Sequence, residues 1–290
     1  MRAMAIAWRR RPAGDGLTRR VMRSAAGRVG AVILLLFAVM AVFAPVLAPY
    51  DPLATDWGAL RQAPSAAHWF GTDDLGRDVL SRVIWGSRAS LLVGVLSVGM
   101  AMAVGVPLGL VSGYSRGAVD ATLMRVTDGL LAIPSLILAI ALAAFLGPSL
   151  VNAMIAIGAA AAPIFIRLAR GQVLVVRGEQ YVDAVRTMGF SGLRIVGRHI
   201  LPNILPVLLV QATLAMADAI IAEAGLSFLG LGQQPPNPSW GAALDAARGF
   251  IVECPWMSVW PGVFICVSVF GLNLLGDGLR DALDPRSLSR

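Results

Sequence analysis

Apolar residues make up 57% of this 290-residue chain and charged residues only 14%, against about 25% charged in a soluble domain. With a mean hydropathy of +0.73 and apolar residues in long unbroken runs, a water-soluble globule is excluded. The net charge of +7 comes from arginine alone, because the chain contains no lysine. That excludes an ATPase built on a G-x-x-x-x-G-K-[ST] phosphate loop, and arginines clustered between the apolar runs point to membrane topology rather than nucleic-acid binding.

Runs of roughly 18 or more uncharged residues are read as membrane-spanning helices, and six are predicted. Residues 1–28 form an arginine-rich segment ahead of the first span, Val29–Leu47. That apolar run is too long for a signal-peptide core, and Pro45 directly after Ala44 makes a poor cleavage site. The pair Arg19-Arg20 is likewise not read as a twin-arginine signal, with five further spans downstream. The polar segment 48–90 follows. Within it, Gly71–Arg82 alternates acids and arginines at Asp73, Asp74, Arg77, Asp78 and Arg82. Two readings are open there: a solvated, self-paired turn, or a contact surface for another protein.

Span 2, Leu91–Val111, leads into a repeat of Gly105, Gly109 and Gly113, a smooth strip that lets helix backbones approach closely. Span 3, Val126–Leu146, and span 4, Leu150–Ile166, contain Pro134 and Pro163, each expected to kink or loosen its helix. A polar stretch, Arg167–Asn203, precedes span 5, Ile204–Leu226, which carries Asp218 and Glu223. Ionisable groups at membrane depth are costly and often functional. Asp218 is a candidate for lining a pathway and meeting a positively charged amine, and Glu223 for a gate or for bonding to backbone or the outer loop. The segment 227–258 holds Pro235, Pro236, Pro238 and Trp240, a stiff turn with an interface-seeking aromatic, suited to docking or gating. Span 6, Val259–Leu275, closes a membrane domain of residues 29–276 and leaves a tail, 277–290. Cys254 and Cys266 lack metal-ligand spacing and read as small apolar residues.

Arginine distribution predicts the orientation. Eight arginines precede span 1, two separate spans 2 and 3, six separate spans 4 and 5, and three follow span 6; only Arg61, Arg77, Arg82, Arg88 and Arg248 lie in the alternate segments. The arginine-rich side is expected to be cytoplasmic, with both termini on it.

In the loop 167–203, Tyr181, Ala184, Val185 and Met188 fall at i, i+3, i+4 and i+7, an apolar stripe on a short helix. Glu179 and Asp183 suit its N-terminal end and Gly189 its C-terminal stop. Two helical turns are unstable alone in water, so this helix must dock on the membrane domain, the bilayer surface or a partner. His199 reads as a structural residue at the junction with span 5, since the other histidine, His68, belongs on the opposite side of the membrane.

The stretch Asp183-Ala184-Val185-x3-Gly189, followed by His199-Ile200-Leu201-Pro202-Asn203, resembles the signature loop of ABC importer permeases, E-A-A-x3-G-x9-I-x-L-P. Asp183 replaces Glu, Val185 replaces Ala and His199 takes an Ile position. Gly71–Arg82, Glu223–Gly232 with Pro235–Gly241, and Asn273–Arg286 resemble the same peptide and nickel branch, in the same order. The resemblance implies an all-α integral membrane protein of six helices with the type I ABC importer permease fold, in the bacterial inner membrane. It implies a non-catalytic subunit that forms half of a pathway with a second, related permease. Two ATPase subunits would bind ATP and magnesium, so that this chain needs no cofactor of its own. Glu179, Tyr181, Asp183, Ala184, Val185, Met188, Gly189, Leu201 and Pro202 would couple to them. An extracytoplasmic binding protein would deliver dipeptides or oligopeptides, or else nickel chelates, glutathione or opines; Asp73, Arg77, Asp78, Arg82 and Trp240 are its candidate contacts. A gradient-driven transporter or an intramembrane enzyme would need more intramembrane ionisable groups than Asp218 and Glu223.

Overall fold

A computed structural model describes residues 17–115 and 117–283, apart from the Leu17 side chain. The first sixteen residues, Arg116 and the tail from 284 lie outside it. The described chain is helical: α1 (Leu17–Val21), α2 (Ala25–Val42), α3 (Ala44–Leu47), α4 (Val79–Ser115), α5 (Gly117–Leu131), α6 (Ser135–Leu146), α7 (Leu150–Arg177), α8 (Gln180–Thr187), α9 (Gly192–Ile195), a π-helical turn at Val196–Ile200, α10 (Leu201–Phe228), α11 (Trp240–Ala247) and α12 (Trp256–Leu283). Among these, five helices are long and apolar enough to cross a membrane: α2, α4, α7, the continuous Gly192–Phe228 unit, and α12. The pair α5 and α6 makes a sixth when counted as one broken span.

That broken span corrects the expectation of a single kinked helix over Val126–Leu146. The two halves meet at 89°. Pro134, at φ −52° and ψ 129°, stands outside the helical region, has no N–H to give to the preceding turn, and drives Ile133 out of the α conformation. With 15 and 12 residues, the halves reach about 22 and 18 Å, so neither alone crosses a hydrocarbon layer of about 30 Å. Pro163, by contrast, lies within an unbroken α7.

Other spans run past their apolar cores. α4 starts at Val79, twelve residues before the predicted Leu91, because the Asp78 carboxylate accepts hydrogen bonds from the Ser81 N–H (2.8 Å) and hydroxyl (2.7 Å) and so caps the helix. α7 continues to Arg177 and α12 to Leu283. The expected polar loop 167–203 is therefore mostly helix, and the expected domain boundary at 276 falls inside α12.

The glycine strip does what its spacing predicts. A Cβ on Gly105, Gly109 or Gly113 would stand 2.6–2.7 Å from Phe165, Ala169 or Val173 of α7, so α4 and α7 pack backbone to backbone over about two turns. Buried Ala153, Ile157, Ala160, Phe165 and Val173 of α7 join Val93, Val98 and Ala101 of α4 and Ile204 and Leu208 of α10 in one core. A second core gathers Phe37 of α2, Val83 of α4, Ile220 of α10, Trp240 of α11, and Met257 and Leu272 of α12.

Candidate functional site

At the arginine-rich end, α7 stops at Arg177 and α8 follows. Glu179 takes an extended conformation as N-cap residue, its side chain exposed and without a capping bond. After Met188 the chain turns at Gly189, whose φ of +80° suits glycine. One residue points inward: Val182 is wholly buried in the core with Ile195, Ile200 and Ile204, and Val185 and Phe190 pack beside it. Tyr181, Ala184 and Met188 are exposed, and Leu193, at 90% exposure, continues the apolar surface past the helix. The predicted stripe thus divides. Val182 with Val185 anchors α8, while Ala184 and Met188 are left uncovered and Tyr181 is partly exposed beside the start of α10.

α8 is also tied to the start of α10. The Tyr181 hydroxyl donates to the His199 carbonyl (3.2 Å), and the Asn203 amide donates both to the Tyr181 oxygen (2.9 Å) and to the His199 carbonyl (2.6 Å). Partial burial and the neighbouring Glu179 carboxylate raise the Tyr181 pKa, so the phenol keeps its proton. His199 lies in the π turn and its ring faces Phe190 edge-on at 6.3 Å. Leu201 packs half-buried against the core and Pro202 is exposed at the first turn of α10. Asp183 pairs with Arg186 at 3.0 Å on the exposed side.

Two ion pairs at this end were not anticipated. The Arg170 guanidinium grips Asp120 through two bonds, of 2.5 and 2.8 Å, and Arg167 meets Asp128 at 2.5 Å. Both join α5 to α7, and α5 is otherwise exposed over most of its surface. The acids stand eight residues apart on α5 and the arginines three apart on α7, a pairing that only the fold brings into register.

At the opposite end, the expected surface charges are interior. Asp73, Arg77, Asp78 and Arg82 are all buried, so the turn is self-paired, as expected, but these four side chains are not solvated and present no docking surface. The Asp73 carboxylate accepts from the Arg77 Nε (2.6 Å) and from the N–H groups of Leu75 and Arg77 (2.9 Å each), with Arg82 Nε at 3.5 Å. Arg82 donates to the Pro52 carbonyl at 2.9 Å, and Asp78 meets the His68 ring at 3.0 Å. Trp240 is buried as well, its indole N–H donating to the Val83 carbonyl at 2.9 Å; it is a packing residue, not an interfacial one. These side chains bolt the 48–78 segment and α11 onto α4.

The two acids of α10 have different surroundings. Glu223 is fully enclosed and accepts from the hydroxyls of Ser227 (2.7 Å), Ser239 (3.0 Å) and Ser90 (3.4 Å). It joins α4, α10 and the start of α11, and it does not open onto a passage. Asp218 lies on the exposed face of the same helix.

The chain matches the binding-protein-dependent transport system inner membrane component family over residues 105–289, and the N-terminal transmembrane domain of oligopeptide transport permease C over residues 16–64. It is 49% identical to a probable D,D-dipeptide transport system permease of Escherichia coli K12, covering 89% of this chain and 86% of the relative. It is 47% identical to a dipeptide transport system permease of Alkalihalophilus pseudofirmus (90% and 86%) and 42% identical to a glutathione transport system permease of Pectobacterium atrosepticum (92% and 89%). Its fold is shared with a chain of the MetNI methionine ABC transporter in an inward-facing conformation, with a TM-score of 0.60 at 20% identity over 71% of this chain and 98% of the other. The exposed two-turn helix hung from a helical membrane domain is thus found in a multi-pass inner-membrane permease, and the chain belongs to the binding-protein-dependent transport system inner membrane component family.

Proposed function

We propose that this chain forms half of the transmembrane pathway of a peptide importer, and that α8 is the seat through which separate ATPase subunits drive it. The carrying observation is the division of α8: Val182 is buried, while Tyr181, Ala184, Met188 and nearby Leu193 are left uncovered. A short helix with an uncovered apolar face is suited to a groove in a partner. The Tyr181–His199–Asn203 bonds would pass its displacement to α10.

On this reading both termini and α8 are cytoplasmic, as the arginine asymmetry predicts. ATP and magnesium belong to two ATPase partners, a related permease supplies the other half of the pathway, and a binding protein delivers cargo on the opposite side. Dipeptide permeases among the relatives support peptides as that cargo, and the glutathione permease supports a γ-linked tripeptide as the second reading.

Co-purification with the neighbouring gene products, followed by ATPase assay in lipid, tests the proposal. Ala184→Arg places a charge in the uncovered stripe and is expected to release or uncouple the ATPase. A chain that purifies without an ATPase, indifferent to this change, would overturn it.

A further inference from the structure

Along α10, Gln211, Asp218 and Gly225 recur every seven residues, 20° short of two full turns, so they stack along one line. It is the open side of the helix: Asp218 is exposed and Gln211 and Gly225 are half-buried, while Ala212, Ala215, Ala219 and Ile220 turn into the protein. Asp218 has no hydrogen bond or ion pair with any described residue. It lies ten residues before the end of α10, about 15 Å along the axis, close to the middle of a hydrocarbon layer of about 30 Å. A carboxylate at that depth is strongly disfavoured against lipid, and such groups face a partner or a water-filled path.

The broken span supplies an independent observation. Ala132, Ile133 and Pro134, the non-helical residues at the 89° bend, are all exposed. Irregular backbone at membrane depth is tolerated only where protein covers it or water reaches it. Leu136, two residues past the bend, comes within 3.9 Å of a Cβ built on Gly225. The break and the Gln211–Asp218–Gly225 line therefore border the same open surface, and each of them requires something other than lipid there.

We propose that Asp218 is the pathway residue that receives the protonated amino terminus of the transported peptide, an inference that rests on the peptide-import reading above. Its carboxylate is a charge with no partner among the described residues, and a cationic amine in a low-dielectric passage is its electrostatic complement. Gly225, about two turns further along the same line, adds no side chain of its own to this surface, where Leu136 of α6 lies against it. Glu223 cannot share the task, because three serine hydroxyls already enclose it.

The test uses the whole complex in nanodiscs, with alanyl-alanine and N-acetyl-alanyl-alanine as probes and the binding protein omitted. Saturation-transfer NMR on wild type is expected to show contact at the amino-terminal residue of the free dipeptide and at least tenfold less for the acetylated one. Asp218→Asn is expected to abolish the difference and Asp218→Glu to keep it. Equal signals from both peptides in wild type, no contact at all, or an unchanged difference in Asp218→Asn would each overturn the inference. So would loss of the second permease from the Asp218→Asn complex, which would show the carboxylate pairing with protein instead of cargo. Uptake of alanyl-alanine by the wild-type complex with its binding protein is measured alongside. Failure of that uptake would sink the peptide reading itself, whereas uptake without amine selectivity sinks only the role of Asp218.

Discussion

The Tyr181 phenol and the Asn203 amide, 22 residues apart, meet at 2.9 Å and share the His199 carbonyl as a common acceptor. Tyr181 belongs to α8 and Asn203 to the first turn of α10, so a push on one helix reaches the other without passing through the core. Tyr181→Phe removes the hydroxyl and keeps the ring. A partly exposed hydrogen bond is worth about 0.5–1.5 kcal/mol net, so the melting temperature should barely move. Uptake is expected to fall several-fold while ATP hydrolysis by the assembled complex persists. A variant that transports at the wild-type rate would show that force passes by another route.

Opposite faces of α8 should respond differently. Val182 is wholly buried, and Val182→Ala removes two methyl groups from a packed site, a loss of about 1–3 kcal/mol readable as a lowered unfolding temperature. Met188 is 66% exposed. Met188→Glu should leave the unfolding temperature of the isolated chain within a degree or two and weaken ATPase co-purification at least tenfold. Equal destabilisation by both changes would mean that the helix packs quite differently.

Periodicity made the position of α8 readable but not its facing. In eight residues, Tyr181, Ala184 and Met188 make one apolar line and Val182 with Val185 another, and a helical wheel does not say which meets the core. Ile195, Ile200 and Ile204 decide it, and they lie 13 to 22 residues downstream. The 71–82 segment misled for a related reason. Acids and arginines alternating in sequence look solvated; they do pair with one another, but the further partners that bury them, the Pro52 carbonyl and His68, are contributed by the preceding loop. Pro134 signalled a kink, but its size depends on how α5 and α6 seat against α7. The glycine strip was legible in full, because absent side chains allow only close approach whatever the neighbour.

Asp73 accepts from two backbone N–H groups and from Arg77, with Arg82 nearby. Asp73→Ala removes the carboxylate shared by two buried guanidinium groups, leaving Arg77 only Asp74 and Arg82 its carbonyl acceptors, and breaking such a network by removing one partner costs about 3–5 kcal/mol. Thermal unfolding in detergent should shift by several degrees, and protease cleavage within residues 48–78 should accelerate. A shift no larger than that of a surface variant such as Asp56→Ala would contradict the bolting role of this cluster.

Partial burial and the adjacent Asp73 carboxylate raise the Asp74 pKa, outweighing the lowering influence of Arg77. A group whose folded-state pKa exceeds its unfolded value favours the fold below the unfolded pKa, and that contribution is lost as pH rises through the folded pKa. At neutral pH, then, the ionised Asp74 is a mild liability. Asp74→Asn keeps the shape and removes the charge, so it should equal or slightly exceed wild type in unfolding temperature at pH 7.5. The advantage should vanish as pH falls through the carboxylate range, where wild-type Asp74 takes up its proton. Unfolding curves of both proteins at half-unit steps from pH 4 to 8 check this. An Asp74→Asn variant less stable at pH 7.5, with the deficit closing toward pH 4, would show that the pairing with Arg77 outweighs the burial of the charge.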